Sequence, residues 1–207
     1  MKKSNDVAEY YSRVGSWAGY NIILGRSQHA GYWESGIKNE KQAQRNFLHK
    51  FAQALDLKQD NIVLDAGSGQ GYLAEATGAK ITGITITPRE VKISEKLSAN
   101  MDNPPKFILG DYSNTDFKND YFDVIYVTET LVHAKNIESL MKEFFRILKP
   151  NGRLITADYE VKTRDSRKMH SDIFEFLEKY AAGYGIYQQN PGQILSAMER
   201  AGFSHVS

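Results

Sequence analysis

Three groups of residues in this 207-residue chain have the types and spacing to do chemistry. The first is Val63-Leu64-Asp65-Ala66-Gly67-Ser68-Gly69-Gln70-Gly71. Glycines at alternate positions follow an apolar run and open a helical one. They allow backbone angles that other residues avoid, and they let a ligand approach the main chain. The helix start beyond them offers free N–H groups and partial positive charge. Asp65 narrows the choice of ligand, since a carboxylate there repels a pyrophosphate and suits a group carrying an ammonium. A dinucleotide-binding loop would carry its third glycine at position 72, which is tyrosine; here the glycine falls at Gly71. A tight strand-to-helix turn with no ligand is the alternative. The second group is Glu129 and His133, within Val127-Thr128-Glu129-Thr130-Leu131-Val132-His133-Ala134. An unperturbed histidine titrates at about 6.5, so His133 is a candidate general base; the alternative is a loop histidine bonded to backbone. Glu129 can steady a cation or hydrogen-bond a substrate. The third group is aromatic: Tyr10, Tyr11, Trp17, Tyr20, Tyr32 and Trp33. Such rings can line an apolar pocket and attract a cation by about 0.5–2 kcal/mol, or simply pack a lid onto the body.

The elements that must position these groups alternate along the chain. Ala43, Phe47, Leu48, Phe51 and Leu55 follow a helical period over 40–55. Apolar runs at 61–65, 80–86, 106–109, 122–127 and 153–157 predict five strands. Helices are predicted at 88–99, with Thr87 as N-cap and Pro88 in the first turn, and at 137–148, stopped by Lys149-Pro150-Asn151-Gly152. Two more helical patterns lie near 167–181 and 193–201. Strands without clean alternation, separated by helices, indicate an α/β fold with a doubly wound, mostly parallel sheet covered on both faces. In such a sheet a ligand lies off the carboxyl ends of the strands, where strand order reverses. The glycine loop and Glu129 both fall at that rim. Between Gly71 and Gly78 there is room for a crossover helix of less than two turns, at the lower limit for a crossover unless residues are missing there. The last residues, Gly202-Phe203-Ser204-His205-Val206-Ser207, look like the start of another strand, which suggests a truncated or incompletely ordered C-terminus.

From Asn61 to Tyr159 the chain resembles the class I S-adenosylmethionine-dependent methyltransferases. The glycine loop corresponds to their first motif, Thr82-Gly83-Ile84-Thr85-Ile86-Thr87-Pro88 to their ribose-binding turn, and Leu109-Gly110-Asp111-Tyr112 to their adenine-binding turn. Arg146-Ile147-Leu148-Lys149-Pro150-Asn151-Gly152-Arg153-Leu154 matches their turn into strand five. The resemblance implies S-adenosyl-L-methionine as cofactor and S-adenosyl-L-homocysteine as product, on a Rossmann-like methyltransferase fold. It implies that Asp65, Gly67, Ser68 and Gly69 hold the amino-acid end, and Gly110, Asp111 and Tyr112 the base. Most members carry Asp or Glu where this chain has Thr85, and a hydroxyl satisfies fewer donors than a carboxylate. The form with threonine resembles a subset acting on lipids and small molecules: cyclopropane synthases and prenyl-diphosphate, tocopherol, sterol and natural-product methyltransferases. There a polar residue one turn into the helix helps hold the ribose, which gives Glu90 that role beside Thr85 and Ile86; the alternative is a solvated helix charge. Thr128 would complete the cofactor set from strand four. Tyr11, in the tyrosine pair, would lie over the cofactor, and His29, Tyr32 and Trp33 would bind the acceptor. Val132 stands where cyclopropane synthases carry a glutamate, which counts against cyclopropanation.

The expected organisation is a capping N-terminal lid over 1–39, a cofactor-binding core over 40–160, a lid insertion after strand five over 161–190, and a final helix with the start of a last strand over 191–207. Composition bounds the partners. With 26 basic and 25 acidic side chains the net charge is +1, giving no long-range pull toward nucleic acid or anionic membrane. No cysteine is present, and the five histidines lack zinc-binding spacing, so no metal is expected. No apolar run approaches a membrane span, and no signal-peptide stretch opens the chain, which predicts a cytoplasmic protein. The sequence thus predicts a methyltransferase with a small, hydrophobic or aromatic acceptor, the atom methylated being carbon, oxygen or nitrogen; a homodimer is compatible with it. An RNA or protein methyltransferase on the same fold, a catalytically silent cofactor-binding module and an NAD-dependent oxidoreductase follow in that order. The neutral charge, the lack of an Asn-Pro-Pro-Tyr segment after strand four, and Tyr72 with Thr85 weigh against them.

Overall fold

A computed structural model of the chain describes residues 7–8, 29–71, 79–158 and 189–206. Five strands form one sheet: β1 (Ile62–Ala66), β2 (Lys80–Thr85), β3 (Lys106–Leu109), β4 (Phe122–Thr128) and β5 (Leu148–Ala157). Their order is β3-β2-β1-β4-β5 and every neighbouring pair is parallel. Chain order therefore reverses between β1 and β4, and the crevice of an open parallel sheet opens at their carboxyl ends.

Both faces are covered. On one, Val63, Ile81, Val124 and Tyr126 pack under Leu48, Phe51 and Leu55 of helix α1 (Glu40–Leu55). Helix α1 begins where Asn39 accepts from the Gln42 amide and ends at Asp56 in the left-handed region. On the other face, Leu64, Ala66, Ile84, Ile125 and Val127 meet α3 (Ile137–Ile147) and α4 (Gln193–Ala201) through Leu140, Met141, Phe144, Ala197 and Met198. Helix α2 (Pro88–Ser98) buries a small polar face instead, Glu90, Ser94 and Ser98. Ser94 Oγ donates to the Gly69 carbonyl at 3.2 Å, which ties this helix to the glycine loop.

Two expectations need correction. The segment Lys149-Pro150-Asn151-Gly152 does not separate α3 from β5; the strand starts at Leu148, directly after the helix. Leu148 pairs with Phe122 and Arg153 with Val124, so the four residues between them bulge out opposite Asp123, with Asn151 at φ 65°. Lys149 Nζ reaches Asp123 Oδ1 at 2.8 Å and holds the bulge in place. The expected strand at 202–207 does not form over the described residues 202–206. Gly202, at φ 111°, caps α4, and the Phe203 amide donates to the Met198 carbonyl. Phe203 then packs edge-on against Phe145 at 5.3 Å. The short crossover at 72–77, the helix near 167–181, most of the N-terminal lid, the lid insertion and Tyr11 lie outside the described residues.

Gly71 shows how tightly the loop is built. It sits at φ +72°, and a methyl group added there would stand 2.5 Å from Cζ of the buried Phe107. Gly71→Ala combines strain with overpacking and should lower stability by about 1–3 kcal/mol. Urea unfolding of the two proteins checks it; an unchanged midpoint contradicts the geometry.

Candidate functional site

The glycine loop leaves β1 and turns sharply, with Gly67 at φ +85° and Gly69 at φ +50°. Side chains are excluded at Gly67 for a second reason, since a Cβ would meet the Thr130 side chain at 2.6 Å. The loop is fastened to β2: the Gly67 and Ser68 amides both donate to the Ile84 carbonyl at 3.0 Å, and the Gly71 amide donates to the Ser68 carbonyl at 2.8 Å. Those three amides are thus satisfied within the fold, which the glycine spacing alone does not reveal. Ser68 Oγ is buried and has no hydrogen-bond partner.

Asp65, at the end of β1, is 4% exposed. It lies opposite Tyr126 in the β1–β4 ladder. Burial pushes its carboxyl up to about 7, and the nearby Tyr126 hydroxyl eases this only in part. That hydroxyl is itself buried and meets no acceptor in hydrogen-bonding geometry. Burial and the Asp65 charge hold the Tyr126 phenol well above its ordinary range, so it keeps its proton. No cation acts on Asp65 among the described residues. A buried carboxylate of this kind is costly unless something charged completes it.

At the end of β2, Thr85 and Glu90 form one buried unit. Thr85 Oγ1 donates to Glu90 Oε2 at 2.5 Å, and the Thr87 amide donates back to Thr85 Oγ1 at 3.3 Å. Ile86, between Thr85 and Thr87, is half-buried. Thr87 is the N-cap of α2, as expected, yet its side chain makes no capping bond and its Oγ1 is buried without a partner. At the end of β3, the Gly110 amide donates to the Thr85 carbonyl at 2.9 Å. Asp111 is exposed; its Oδ1 accepts from the Ser113 amide and hydroxyl at 2.8 and 2.7 Å, which fixes the carboxylate's direction. Tyr112 is a strut: its hydroxyl donates to the Thr130 carbonyl at 2.8 Å and its ring tilts onto Phe144. Burial keeps that phenol protonated.

The end of β4 closes the crevice. Thr128 pairs with Ala157 as the last rung of the ladder. Glu129 follows at φ +50°, a left-handed conformation costing a non-glycine residue about 1 kcal/mol or more. Two bonds hold it there: its amide donates to the Ala157 carbonyl, and its Oε1 accepts from the Ala30 amide, both at 2.9 Å. Burial raises the Glu129 carboxyl above its ordinary value, and the charges of Asp158 and Glu40 add to this. His133 ends a short 3₁₀ turn (Leu131–His133) and is half-buried. Asp158 Oδ2 accepts from the Leu131 amide at 2.7 Å, and Gln189 Nε2 donates to the Ala134 carbonyl at 3.3 Å, so the turn is pinned from β5 and from 189.

Residues 29–33 lie along α1 and reach this rim through Ala30. The Gly31 amide donates to Glu40 Oε1 at 3.0 Å and the Tyr32 amide to the Ala43 carbonyl at 2.9 Å. His29 turns inward onto Phe47, ring centroids 4.6 Å apart, and burial lowers its pKa, which keeps it neutral. Tyr32 and Trp33 are about half exposed, 49% and 54%, and the Lys50 ammonium sits 5.2 Å from the Tyr32 ring centre. Sequence reasoning missed Tyr126, Thr130, Asp158 and Glu40. Tyr126 is the direct ladder partner of Asp65, which strand register reveals and residue type does not. Among the described residues no cluster of His, Cys, Asp and Glu could hold a metal, and no helix is long and apolar enough to cross a membrane.

Comparison with known proteins agrees with this layout. A family described as "Methyltransferase domain" matches residues 64–156. The chain is 28% identical over 167 residues to methyltransferase GfsG of Streptomyces halstedii, covering 77% of this chain and 59% of that protein. It is 34% identical over 139 residues to sterol 4-C-methyltransferase strm-1 of Caenorhabditis elegans, covering 64% and 41%. The chain thus spans between two fifths and three fifths of the length of these relatives. Its fold is shared with geranyl diphosphate C-methyltransferase of Streptomyces coelicolor A3(2), solved with Mg2+, geranyl diphosphate and S-adenosyl-L-homocysteine. That superposition has TM-score 0.75 and 15% identity and covers 97% of this chain and 80% of the other. The glycine loop, the reversed strand order and the matched segment all fall between β1 and β5, so residues 64–156 are similar to a methyltransferase domain.

Proposed function

We propose that the chain transfers a methyl group from S-adenosyl-L-methionine to a small, hydrophobic acceptor and releases S-adenosyl-L-homocysteine. The observation that carries this is a row of polar groups along three adjacent strand ends: Asp65 after β1, Thr85 with Glu90 after β2, Asp111 after β3. Neighbouring strands stand about 4.8 Å apart, so the row spans about 10 Å. That order suits a ligand with an ammonium at one end, vicinal hydroxyls in the middle and an exocyclic amine at the other. A diphosphate at Asp65 would meet a second negative charge.

The residues fit such a group on their own chemistry. Asp65 is a buried carboxylate with no cation among the described residues, and the orphaned Ser68 Oγ, set against Gly83 on the strand paired with it, has a hydrogen bond to give. Glu90, already accepting from Thr85, keeps further acceptor capacity for hydroxyls, and Asp111 keeps Oδ2 for an amine. When bound, S-adenosylmethionine supplies a methyl group on a sulfonium, an electrophile with a good leaving group. The chain's part is to align the acceptor with it and to exclude water. His133, on the pinned turn at the end of β4, takes a proton on an imidazole nitrogen where the acceptor must lose one. Glu129 clasps residues 29–31 over the rim and leaves Oε2 to face the acceptor. The relatives' names, a sterol and a prenyl diphosphate methyltransferase, support a hydrophobic acceptor.

Calorimetry with S-adenosylhomocysteine tests the reading, and no binding at millimolar ligand overturns it. Asp65→Asn should weaken binding at least tenfold, and Thr85→Val about tenfold, since each removes a bond worth about 1.5 kcal/mol or more to a charged or buried partner. The pH dependence has a definite sign. Asp65 must be ionised to pair with the ammonium, and its carboxyl is pushed up to about 7. Affinity should therefore fall as pH drops below about 7, approaching tenfold per pH unit, and Asp65→Asn should flatten that slope. The clasp has its own test. Glu129→Ala should speed hydrogen exchange at the Ala30 amide, while Glu129→Gln, which keeps an acceptor, should largely preserve its protection.

A further inference from the structure

Tyr126 is a bulky, fully buried side chain whose polar atom has no evident purpose in packing. Its ring is clamped edge-on by Phe51 of α1, centroids 6.1 Å apart. Its backbone pairs with Asp65 on one side and Ile155 on the other. Its hydroxyl finds no acceptor in hydrogen-bonding geometry, although a phenylalanine would fill the same space without that cost. What lies beside it is the one carboxylate buried at the switch point. Asp65 is paired with Gly83 of β2, and Val63, two residues back along β1, packs with Leu48, Phe51 and Leu55 of α1. Among the described residues, Tyr126 is the single titratable side chain acting on Asp65, and Asp65 the single one acting on Tyr126. The two polar groups stand on paired positions of neighbouring strands, and each bears on the other's proton.

We propose that Tyr126 is a positioning residue for Asp65: whenever the carboxylate is ionised, in the free protein as in the complex, the phenol turns its proton onto it and holds it charged and aimed at a ligand's ammonium. This rests on the ligand assignment under Proposed function. A carboxylate accepts several hydrogen bonds, so the phenol and the ammonium need not compete. The phenol favours the charged form because it donates to it. Tyr126 touches no reacting atom and acts through Asp65 alone. Its removal should therefore change the pH at which binding fails far more than the binding itself at high pH.

The test is Tyr126→Phe, with S-adenosylhomocysteine affinity measured by calorimetry from about pH 5.5 to about pH 8.5. Near the top of that range the variant should bind within a few-fold of the parent protein. The pH at which affinity begins to fall should rise by about one unit, leaving binding near neutrality about tenfold weaker. Superimposable pH profiles overturn the proposal, because a packing role would shift affinity equally at every pH. Should Tyr126→Phe fail to fold, a fluorinated tyrosine at 126 decides: a stronger donor of nearly the same shape should move the midpoint down, and no movement or an upward one refutes the pairing. NMR titration of the Asp65 carboxyl in the ligand-free protein reads the same coupling with no ligand present. Absence of binding by the parent protein would sink the methyl-transfer assignment; the carboxyl titration would still show whether Tyr126 sets the state of Asp65.

Discussion

The structure turns on one electrostatic problem: a carboxylate sealed under the first helix at the central strand's end, with no cation among the described residues to answer it. Asp65 sits where the sheet's connections diverge, the place where open parallel sheets bind ligands, and it brings an uncompensated acid there. Everything around it is arranged to keep that acid dry. Gly83 pairs with it from β2 and Tyr126 from β4, beside the cluster in which Val63 and Tyr126 pack under α1. Folding alone does not repay the desolvation of such a group. The hollow is stable in the ionised state only as half of a pair, and this makes the ligand's cationic end the natural other half.

The second constraint is geometric. The hydrogen bond from Gly110 to Thr85 and the two from the glycine loop to Ile84 stitch three strand ends into one rim. A long, extended ligand laid along that rim meets different chemistry at each strand. The opposite wall comes from sequence-distant parts: Glu129 holds Ala30, a residue 99 positions away, and Glu40 holds Gly31. The left-handed backbone at Glu129 is what turns its carboxylate toward that segment, so a strained residue and a long-range contact explain each other.

Much of this was legible in the residues. The period of Ala43, Phe47, Phe51 and Leu55 located α1 over its whole length, and Lys106 to Leu109 were read as the strand they form. Local pattern determines such features. Thr85 and Glu90 were singled out through the family resemblance, as residues near a ribose, and the structure joins them by a hydrogen bond. What escaped was non-local or conformational. Nothing in Lys149-Pro150-Asn151-Gly152 says that a turn signal will be absorbed as a bulge, because the pairing of Phe122 with Leu148 decides it. Tyr126 was read only as one residue of the fourth strand; strand register alone reveals that it stands beside Asp65. Thr87 has the right type for a cap and the wrong environment to use it, a distinction made by packing rather than by sequence.

The fork at the Ile84 carbonyl carries a last consequence. Because the Gly67, Ser68 and Gly71 amides are already bonded within the fold, the loop holds its shape there before any guest arrives. A rigid mould cannot tell apart two guests that share an amino-acid tail, a sugar and a base and differ at a single sulfur. Donor and spent by-product should then contend for the same seat on nearly equal terms, and turnover in a cell would depend on some other enzyme clearing the by-product away.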